Sequence, residues 1–201
     1  MGRDFRTLVK DEPFLSQALL DDFAIHKRLP DCLLQNREEF IRLCEWIEAE
    51  GIRSYLEIGL WTGRTLSLLH RIFQFETVAA CDPMSALYHG YNMCLPKETK
   101  ILPGFSQSIE YMGWRHALGP IDLVLIDGDH SYAGVRRDFE INQRYPHRYL
   151  MFHDITGVSP DTEGVRQLWQ ELSGRKLEII LPSPADGLEL SPTGIGIWSR
   201  D

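Results

Sequence analysis

The chain has 201 residues, a length that suits one large domain or one domain with a small extension. Its formal net charge of −8 argues against a nucleic-acid-binding surface, and no apolar run approaches the ~20 residues that a membrane-spanning helix needs. The four cysteines lack C-x-x-C spacing and the first residues are too polar for a signal peptide, so we predict a cytoplasmic protein with reduced thiols.

Residues 1–35 are mixed in character and are predicted to form an N-terminal arm or lid that contains a short helix. Asn36 and Glu39 then have the spacing of a capping box, which predicts the start of a second helix. Gly51 is expected to end that helix, because glycine readily adopts the left-handed conformation at a helix C-terminus. The apolar residues of this helix fall on one face, so it is expected to cover a sheet.

A buried strand is predicted at 54–58, and it is followed by a glycine-containing loop and an amphipathic helix. A strand, a glycine turn and a helix N-terminus together allow a ligand to approach backbone N–H groups closely. A dinucleotide-binding loop needs glycine at the position of Trp61, and the chain has no G-x-x-x-x-G-K-[ST] phosphate-binding loop. The loop therefore predicts a ligand whose binding does not depend on a closely held pyrophosphate.

A second strand is predicted to end at Asp82, directly before Pro83. Asp82 follows Gly59 at about the 20-residue distance expected of an acid that binds the two hydroxyl groups of a ribose. The alternative is a turn formed by the Asp-Pro pair, which is common in proteins. The position after the glycine loop favours ribose binding.

Five further strands are predicted at 99–102, 121–126, 149–152, 177–181 and 195–198, and the Pro- and Gly-rich stretch between the last two predicts a hairpin-like connection. Amphipathic helices are predicted between the strands, one capped by Ser106 and another by Ser131. Strands that alternate with helices predict a doubly wound α/β fold. We expect a mostly parallel seven-stranded sheet with an antiparallel edge strand.

Acidic residues end four of the predicted apolar strands, namely Glu57, Asp82, Asp127 and Asp154. In an open parallel sheet the carboxyl ends of the strands meet at one edge, where ligands bind. A solvated surface explains these acids poorly, because each of them directly ends a strand expected to be buried. At least some of them are therefore expected to contact a ligand, a metal ion or a hydrogen-bonding loop.

Four short motifs follow one another along the chain: Leu-Glu-Ile-Gly at 56–59, Cys-Asp-Pro at 81–83, Ile-Asp-Gly-Asp-His-Ser-Tyr at 126–132 and Phe-His-Asp at 152–154. Together they resemble the small class I S-adenosylmethionine-dependent methyltransferases, in the branch of sugar and catechol O-methyltransferases and cephalosporin-hydroxylase-like proteins. The resemblance implies a Rossmann-like methyltransferase domain at 36–201 that methylates a hydroxyl group of a small molecule. No nucleic-acid or membrane partner is expected, and a homo-oligomer is left open.

The resemblance also implies which residues bind S-adenosylmethionine. The glycine loop would hold the methionine part of the cofactor, and Ser106 and Gln107 would lie at the adenine edge, with a plain N-cap as the alternative for Ser106. The implied cofactor-binding residues are Glu57, Gly59, Thr62, Gly63, Asp82, Ser106, Gln107 and Asp127.

Members of this branch that use Mg²⁺ ligate it through the acid ending the fourth strand and an acid pair ending the fifth. The resemblance therefore implies Asp127 and Asp154 as metal ligands, whereas Ile155 replaces the second acid of the pair. His130 and Asp127 are the predicted catalytic residues, with His130 either the general base or a residue that orients a neighbouring acid. His153 is expected to steady Asp154.

Two alternatives stay open at this point. Asp127-Gly-Asp129 has the D-x-D form with which some glycosyltransferases hold manganese and a nucleotide-diphosphate sugar. That alternative leaves the glycine loop and Asp82 without a role. The second alternative is a domain that binds the cofactor without catalysing methyl transfer, since a fold does not guarantee an activity.

Overall fold

The computed structural model describes residues 2–26, 31–185 and 188–200. The helices in these ranges are α1 (Phe5–Leu8), α2 (Gln17–His26), α3 (Arg37–Glu50), α4 (Arg64–Phe73), α5 (Ser85–Tyr88), α6 (Ile109–Leu118), α7 (Tyr132–Asn142) and α8 (Glu163–Glu171). The strands are β1 (Ser54–Ile58), β2 (Thr77–Asp82), β3 (Lys100–Pro103), β4 (Ile121–Ile126), β5 (His147–His153), β6 (Arg175–Ile179), β7 (Ser183–Ala185), β8 (Leu188–Leu190) and β9 (Ile195–Ser199).

Seven of the described strands form one sheet in the order β3-β2-β1-β4-β5-β9-β6. Strands β1 to β5 are parallel, whereas β9 runs antiparallel to both of its neighbours. Strands β7 and β8 pair separately as a small hairpin within the predicted Pro- and Gly-rich connection. The predicted doubly wound, mostly parallel fold is confirmed. The strand order reverses between β1 and β4, and ligands bind at such a switch point.

Apolar side chains cover both faces of the sheet. Tyr55 and Leu56 are adjacent on β1 and fully buried, but they belong to two different apolar clusters. This follows from the alternation of side chains along a strand, which sends neighbours to opposite faces. Burial on both faces explains why the strands are continuous apolar runs. The same packing holds β1, β4 and β5 in place, and the site lies at the carboxyl ends of these strands.

The described N-terminal residues pack against α3. Phe5 is buried beside this helix, and the rings of Phe14 and Phe40 lie 5.4 Å apart. A β-bridge joins Phe14 to Leu33, which places the segment before α3 alongside the middle of the arm. Part of the predicted arm, residues 27–30, lies outside the described residues, and the division at residue 35 stays a prediction.

The start of α3 confirms one capping prediction and corrects another. The Asn36 side chain accepts hydrogen bonds from the backbone N–H groups of Glu38 and Glu39, as predicted for an N-cap. The capping box is wrong, because the Glu39 carboxylate accepts instead from the N–H groups of Leu181 and Gly194. A buried carboxylate needs several donors, and this distant loop supplies more of them than the helix terminus does.

Candidate active site

A cavity of about 760 Å³ opens at the carboxyl ends of β1, β2, β4 and β5. This volume lies within the usual range of small-molecule sites. The described structure places all but one of the predicted site residues in its wall: Glu57, Gly59, Thr62, Asp82, Ser106, Gln107, Asp127, His130 and Asp154. The exception is Gly63, which lies at the N-cap of α4. Their proximity is a structural finding, and their individual roles stay predictions.

The loop after β1 lies directly against the loop after β4. Gly59 has a φ of 85°, and a Cβ atom on it would lie 2.1 Å from the backbone oxygen of Asp127. The Asp127 N–H group donates to the backbone oxygen of Ile58 at 2.9 Å. Only glycine combines this backbone conformation with such a close approach. The two loops therefore form one continuous wall of the cavity.

Trp61 forms part of the cavity wall in a strained conformation. Its φ of 49° is unusual for a bulky side chain. Its ring packs 5.0 Å from that of Tyr91, and its buried Nε1 atom has no hydrogen-bond partner among the described residues. The indole N–H group is thus a free donor. Sequence reasoning used only the bulk of Trp61 and did not predict this role.

Asp82 joins the turn after β2 to the glycine loop. Its carboxylate accepts hydrogen bonds from the N–H group of Leu60 at 2.7 Å and from that of Met84. Asp82 therefore stabilises the turn after β2, which is the structural role that the alternative interpretation gives it. A carboxylate has about four acceptor positions, so these two bonds leave capacity for a ribose.

Glu57 is a buried carboxyl group whose surroundings favour the protonated form. Burial raises its pKa to about 8, and the nearby carboxylates of Asp127 and Asp82 act in the same direction. The hydroxyl group of Tyr55, two residues earlier on the same strand face, donates to Glu57 at 2.7 Å. A protonated carboxyl group can also donate a hydrogen bond, so Glu57 can offer a donor to a ligand.

Ser106 does not cap the following helix, which corrects that prediction. Helix α6 begins at Ile109, and Ser108 caps it by accepting the N–H group of Tyr111. Ser106 donates instead to Asp138 at 2.7 Å. A side chain three residues before a donor N–H group can cap it, and Ser108 stands at that distance from Tyr111 whereas Ser106 does not.

Asp138 is a buried acid that sequence reasoning missed. It lies on α7 among apolar positions, and burial raises its pKa to about 6. Its Oδ2 atom has no hydrogen-bond partner among the described residues. Gln107 reaches the same helix and donates to the backbone oxygen of Gly134 at 3.2 Å. Ser106 and Gln107 therefore line the cavity from a loop that is held against α7.

Carboxylate and imidazole groups converge where β4 and β5 end. Ile126 and Phe152 are partners in the parallel pairing, so Asp127 and His153 follow at the same level. Ligand atoms of Asp127, His153 and Asp154 all lie within 4.8 Å of one another. Consecutive side chains of a strand normally point to opposite faces. Asp154 escapes this alternation because its φ is 62°, so both His153 and Asp154 face the cluster.

His130 contacts the same cluster from the loop after β4. Its Nε2 atom lies 3.1 Å from Oδ1 of Asp127, and its Nδ1 atom lies 3.9 Å from Oδ2 of Asp154. The hydrogen bond to Asp127 raises the pKa of His130, although burial opposes the shift. Burial would raise the pKa of Asp127, but His153 and His130 outweigh it and hold it below its ordinary value. The geometry accords with His130 as an orienting residue, and its role as base stays a prediction.

His153 connects the cluster to α3. Its Nδ1 atom lies 3.4 Å from Oδ2 of Asp154 and 3.6 Å from Oδ1 of Asp127. On its other side, Nε2 lies 3.0 Å from the hydroxyl oxygen of Thr193, which donates to Glu39 at 2.9 Å. Burial would lower the pKa of His153, but the two carboxylates raise it well above its ordinary value.

Sequence reasoning did not predict the roles of Thr193 and Glu39. One signal was present, because Glu39 shares the i, i+4, i+8 face of α3 with the buried residues Leu43 and Ile47. A carboxylate on a buried helix face needs polar partners from another element. No pattern in the sequence identified Thr193 as that partner.

Comparisons with known proteins agree with the fold. Residues 56–155 match the model of a family described as methyltransferase domain. An uncharacterised protein of Acanthamoeba polyphaga mimivirus, R132, is 30% identical over 114 residues, which cover 50% of this chain and 51% of that protein. The chain thus spans about half the length of this curated relative.

Solved structures of methyltransferases have the same fold. An O-methyltransferase from Bacillus cereus in complex with SAH has a TM-score of 0.59 at 15% identity, with 100% of this chain and 93% of that chain covered. The O-methyltransferase TomG from Streptomyces achromogenes, involved in tomaymycin synthesis and solved with SAM, has a TM-score of 0.58 at 14% identity, and both chains are fully covered.

The strand order, the cavity at the switch point and these matches define a class I methyltransferase fold. Residues 56–155 are the part of the chain that matches the family described as methyltransferase domain. In the described part of the chain, no helix has the length and apolar character needed to cross a bilayer.

Proposed function

We propose that this protein transfers the methyl group of S-adenosylmethionine to a hydroxyl group of a small molecule. The observation that carries the proposal is that one cavity contains both the glycine loop and the Asp127–His130 pair. Methyl transfer from a sulfonium is an in-line displacement, so the acceptor oxygen must be positioned close to the methyl carbon. It must also lose its proton, for which a neighbouring base is needed.

The cofactor would bind along the ends of β1 and β2. Its methionine part would lie against the loop between Gly59 and Gly63, its ribose at Asp82, and its adenine beside Ser106 and Gln107. The cavity supports this placement. Gly59, Asp82, Ser106 and Gln107 line it, and Gly63 lies next to it at the N-cap of α4.

The acceptor would occupy the remaining part of the cavity. That part is lined by Leu15, Cys32 and Leu34 from the N-terminal region and by Val158 from the segment after β5. An apolar wall with a polar cluster at one end suits a compact molecule that carries a hydroxyl group on an apolar body. The N-terminal region would then act as the proposed lid over the acceptor.

His130 and Asp127 would take the proton of the acceptor hydroxyl. Asp127 accepts a hydrogen bond from His130 and lies at the cavity wall, so a proton can pass to either of the two groups. A divalent cation held by Asp127 and Asp154 would lower the pKa of the acceptor hydroxyl. The residues fit Mg²⁺ only in part, since Ile155 is buried and offers no oxygen, and a ring nitrogen of His153 completes the cluster.

No observation favours the glycosyltransferase alternative. The Asp129 carboxylate accepts the N–H group of Ser131 at 3.0 Å and packs against Gly134. Within the described residues, the group of possible metal ligands contains Asp127 but not Asp129.

Calorimetry with S-adenosylmethionine and S-adenosylhomocysteine tests the cofactor half of the proposal, and a labelled-methyl assay with catechols and sugars tests the acceptor half. We expect both compounds to bind with one site per chain. Binding of a nicotinamide dinucleotide in their place would contradict the proposal. Labelling of a nitrogen or carbon acceptor, with no hydroxyl compound labelled, would contradict the O-methyl assignment.

A further inference from the structure

We infer that the cluster at the ends of β4 and β5 is built to bind a divalent transition-metal ion, with the ring nitrogen Nδ1 of His153 as a ligand beside Asp127 and Asp154. The inference deepens the proposed function. Any role of the ion in catalysis rests on that proposed function. Binding of the ion itself can be measured without turnover. The two ideas can therefore fail separately.

The spacing of the three donor atoms suits one ion. The Nδ1 atom of His153 lies 3.4 Å from a carboxylate oxygen of Asp154 and 3.6 Å from one of Asp127. Ligand atoms held at about 2.1 Å in tetrahedral or octahedral geometry lie about 3.0–3.4 Å from each other. The two distances from Nδ1 are therefore close to those around an ion, and the three ligand atoms all lie within 4.8 Å of one another.

The hydrogen bonds behind His153 orient its ring for this role. The hydroxyl group of Thr193 donates to Glu39, so its oxygen is available to accept from the Nε2–H group of His153. Glu39 is held in turn by the backbone N–H groups of Leu181 and Gly194. A bound ion would replace the proton on Nδ1, while the proton on Nε2 stays in its hydrogen bond to Thr193 and keeps Nδ1 directed towards the two carboxylates. Metal-ligating histidines in proteins almost always have such a partner on the other ring nitrogen.

The donor set favours a transition-metal ion over Mg²⁺. Mg²⁺ prefers oxygen ligands and near-ideal octahedral geometry, whereas imidazole nitrogen suits Zn²⁺, Fe²⁺ and related ions. The residue after Asp154 is Ile155, which is buried and whose side chain has no atom that can ligate a metal ion. His130 contacts Oδ1 of Asp127, the oxygen that also faces His153, and it orients that carboxylate as a hydrogen-bonded neighbour of a ligand does.

The test is calorimetry of the full chain, freed of metal by a chelator and without cofactor, against Co²⁺, Zn²⁺ and Mg²⁺. We expect one equivalent of Co²⁺ or Zn²⁺ to bind at least about 100-fold more tightly than Mg²⁺, in keeping with nitrogen ligation. The absorption spectrum of the Co²⁺ form gives a second readout that reports the ligands directly.

Four variants separate ligation from folding. His153→Ala should abolish tight Co²⁺ binding and change the Co²⁺ spectrum. Thr193→Val should weaken Co²⁺ binding about 10–100-fold, whereas Thr193→Ser, which keeps the hydroxyl group, should restore it. His116→Ala removes an exposed histidine of α6 and should have no effect. Unfolding curves and binding of S-adenosylhomocysteine establish that each variant is folded.

Three results would overturn the inference: equal or tighter binding of Mg²⁺, Co²⁺ binding that survives His153→Ala, or no binding of any of the three ions. The last result would leave His153 as a cation paired with the two carboxylates. If Co²⁺ binds through His153 but S-adenosylmethionine does not bind, the proposed function fails and the inference stands. If methyl transfer proceeds in excess chelator and Co²⁺ does not bind, the inference fails and the proposed function stands.

Discussion

Asp127 and His153 end neighbouring parallel strands, and Nδ1 of His153 lies 3.6 Å from Oδ1 of Asp127. One residue after His153, the left-handed backbone of Asp154 adds a second carboxylate to the same point. This arrangement depends on the pairing of β4 with β5, because neither strand carries the whole cluster. It places two negative groups and one ring nitrogen beside the cavity in which the cofactor and the acceptor are proposed to meet.

Replacing Asp154 by Ala should abolish turnover and leave the dissociation constant for S-adenosylhomocysteine within about twofold. The expected reason is that Asp154 belongs to the cluster proposed to position and deprotonate the acceptor, while the proposed cofactor contacts lie on other strands. Excess chelator should reproduce the effect on the unmodified protein. Glu98→Ala, which removes an exposed acid that does not line the cavity, is the control. Full activity of Asp154→Ala would remove the cluster from the mechanism.

Replacing Asp82 by Ala should weaken binding of S-adenosylmethionine at least about tenfold. A hydrogen bond to a charged group contributes about 1.5–3 kcal/mol, so loss of one or two ribose contacts accounts for this change. Because Asp82 also holds Leu60 and Met84, the free energy of unfolding must be measured alongside the dissociation constant. Reduced stability with an unchanged dissociation constant would restrict Asp82 to its role in the turn.

Replacing Gly59 by Ala should destabilise the protein and abolish cofactor binding. The added Cβ atom would lie 2.1 Å from the backbone oxygen of Asp127, so the two loops must separate. Gly90→Ala is a matched control, because Gly90 has a φ of 80° but no described atom within 4 Å of the added Cβ. Both variants carry backbone strain of about 1–3 kcal/mol, and only Gly59→Ala carries the clash. Equal losses in chemical unfolding would show that the loop contact is unimportant.

The buried carboxyl group of Glu57 should make stability fall as the pH rises from about 4.5 to about 8. In the folded protein burial raises its pKa to about 8, whereas the ordinary value is 4.5. Between these values the unfolded chain releases a proton that the folded protein retains, so deprotonation favours unfolding. One proton corresponds to a slope of at most about 1.4 kcal/mol per pH unit.

Urea unfolding of Glu57→Gln at several pH values between 5 and 8 tests this prediction. The glutamine variant should lose the slope that Glu57 contributes, while Glu98→Gln, at an exposed position, should keep it. Parallel curves for the unmodified protein and Glu57→Gln would show that Glu57 is ionised in the folded state.

Local patterns were sufficient to predict the fold, because apolar runs, glycines and capping residues act over a few neighbouring positions. The strand at 54–58 and the N-cap at Asn36 agree with the structure for this reason. The acids at the ends of the strands were also predictable, since parallel strands in a doubly wound sheet bring their carboxyl ends to one edge. The predictions for Ser106 and Glu39 failed where a local cap competed with a distant partner that satisfied the side chain better.

The sequence by itself determined the class of fold, the glycine loop and the four acids that end strands. Only the tertiary structure decided which side chains complete the site. Glu39 and Thr193 are separated by 154 positions, yet they orient His153, because packing of α3 against the sheet brings them to the same buried point. The contact between Gly59 and the backbone of Asp127 likewise arises from the neighbouring positions of β1 and β4. Such contacts follow from strand order and burial, which no short sequence pattern specifies.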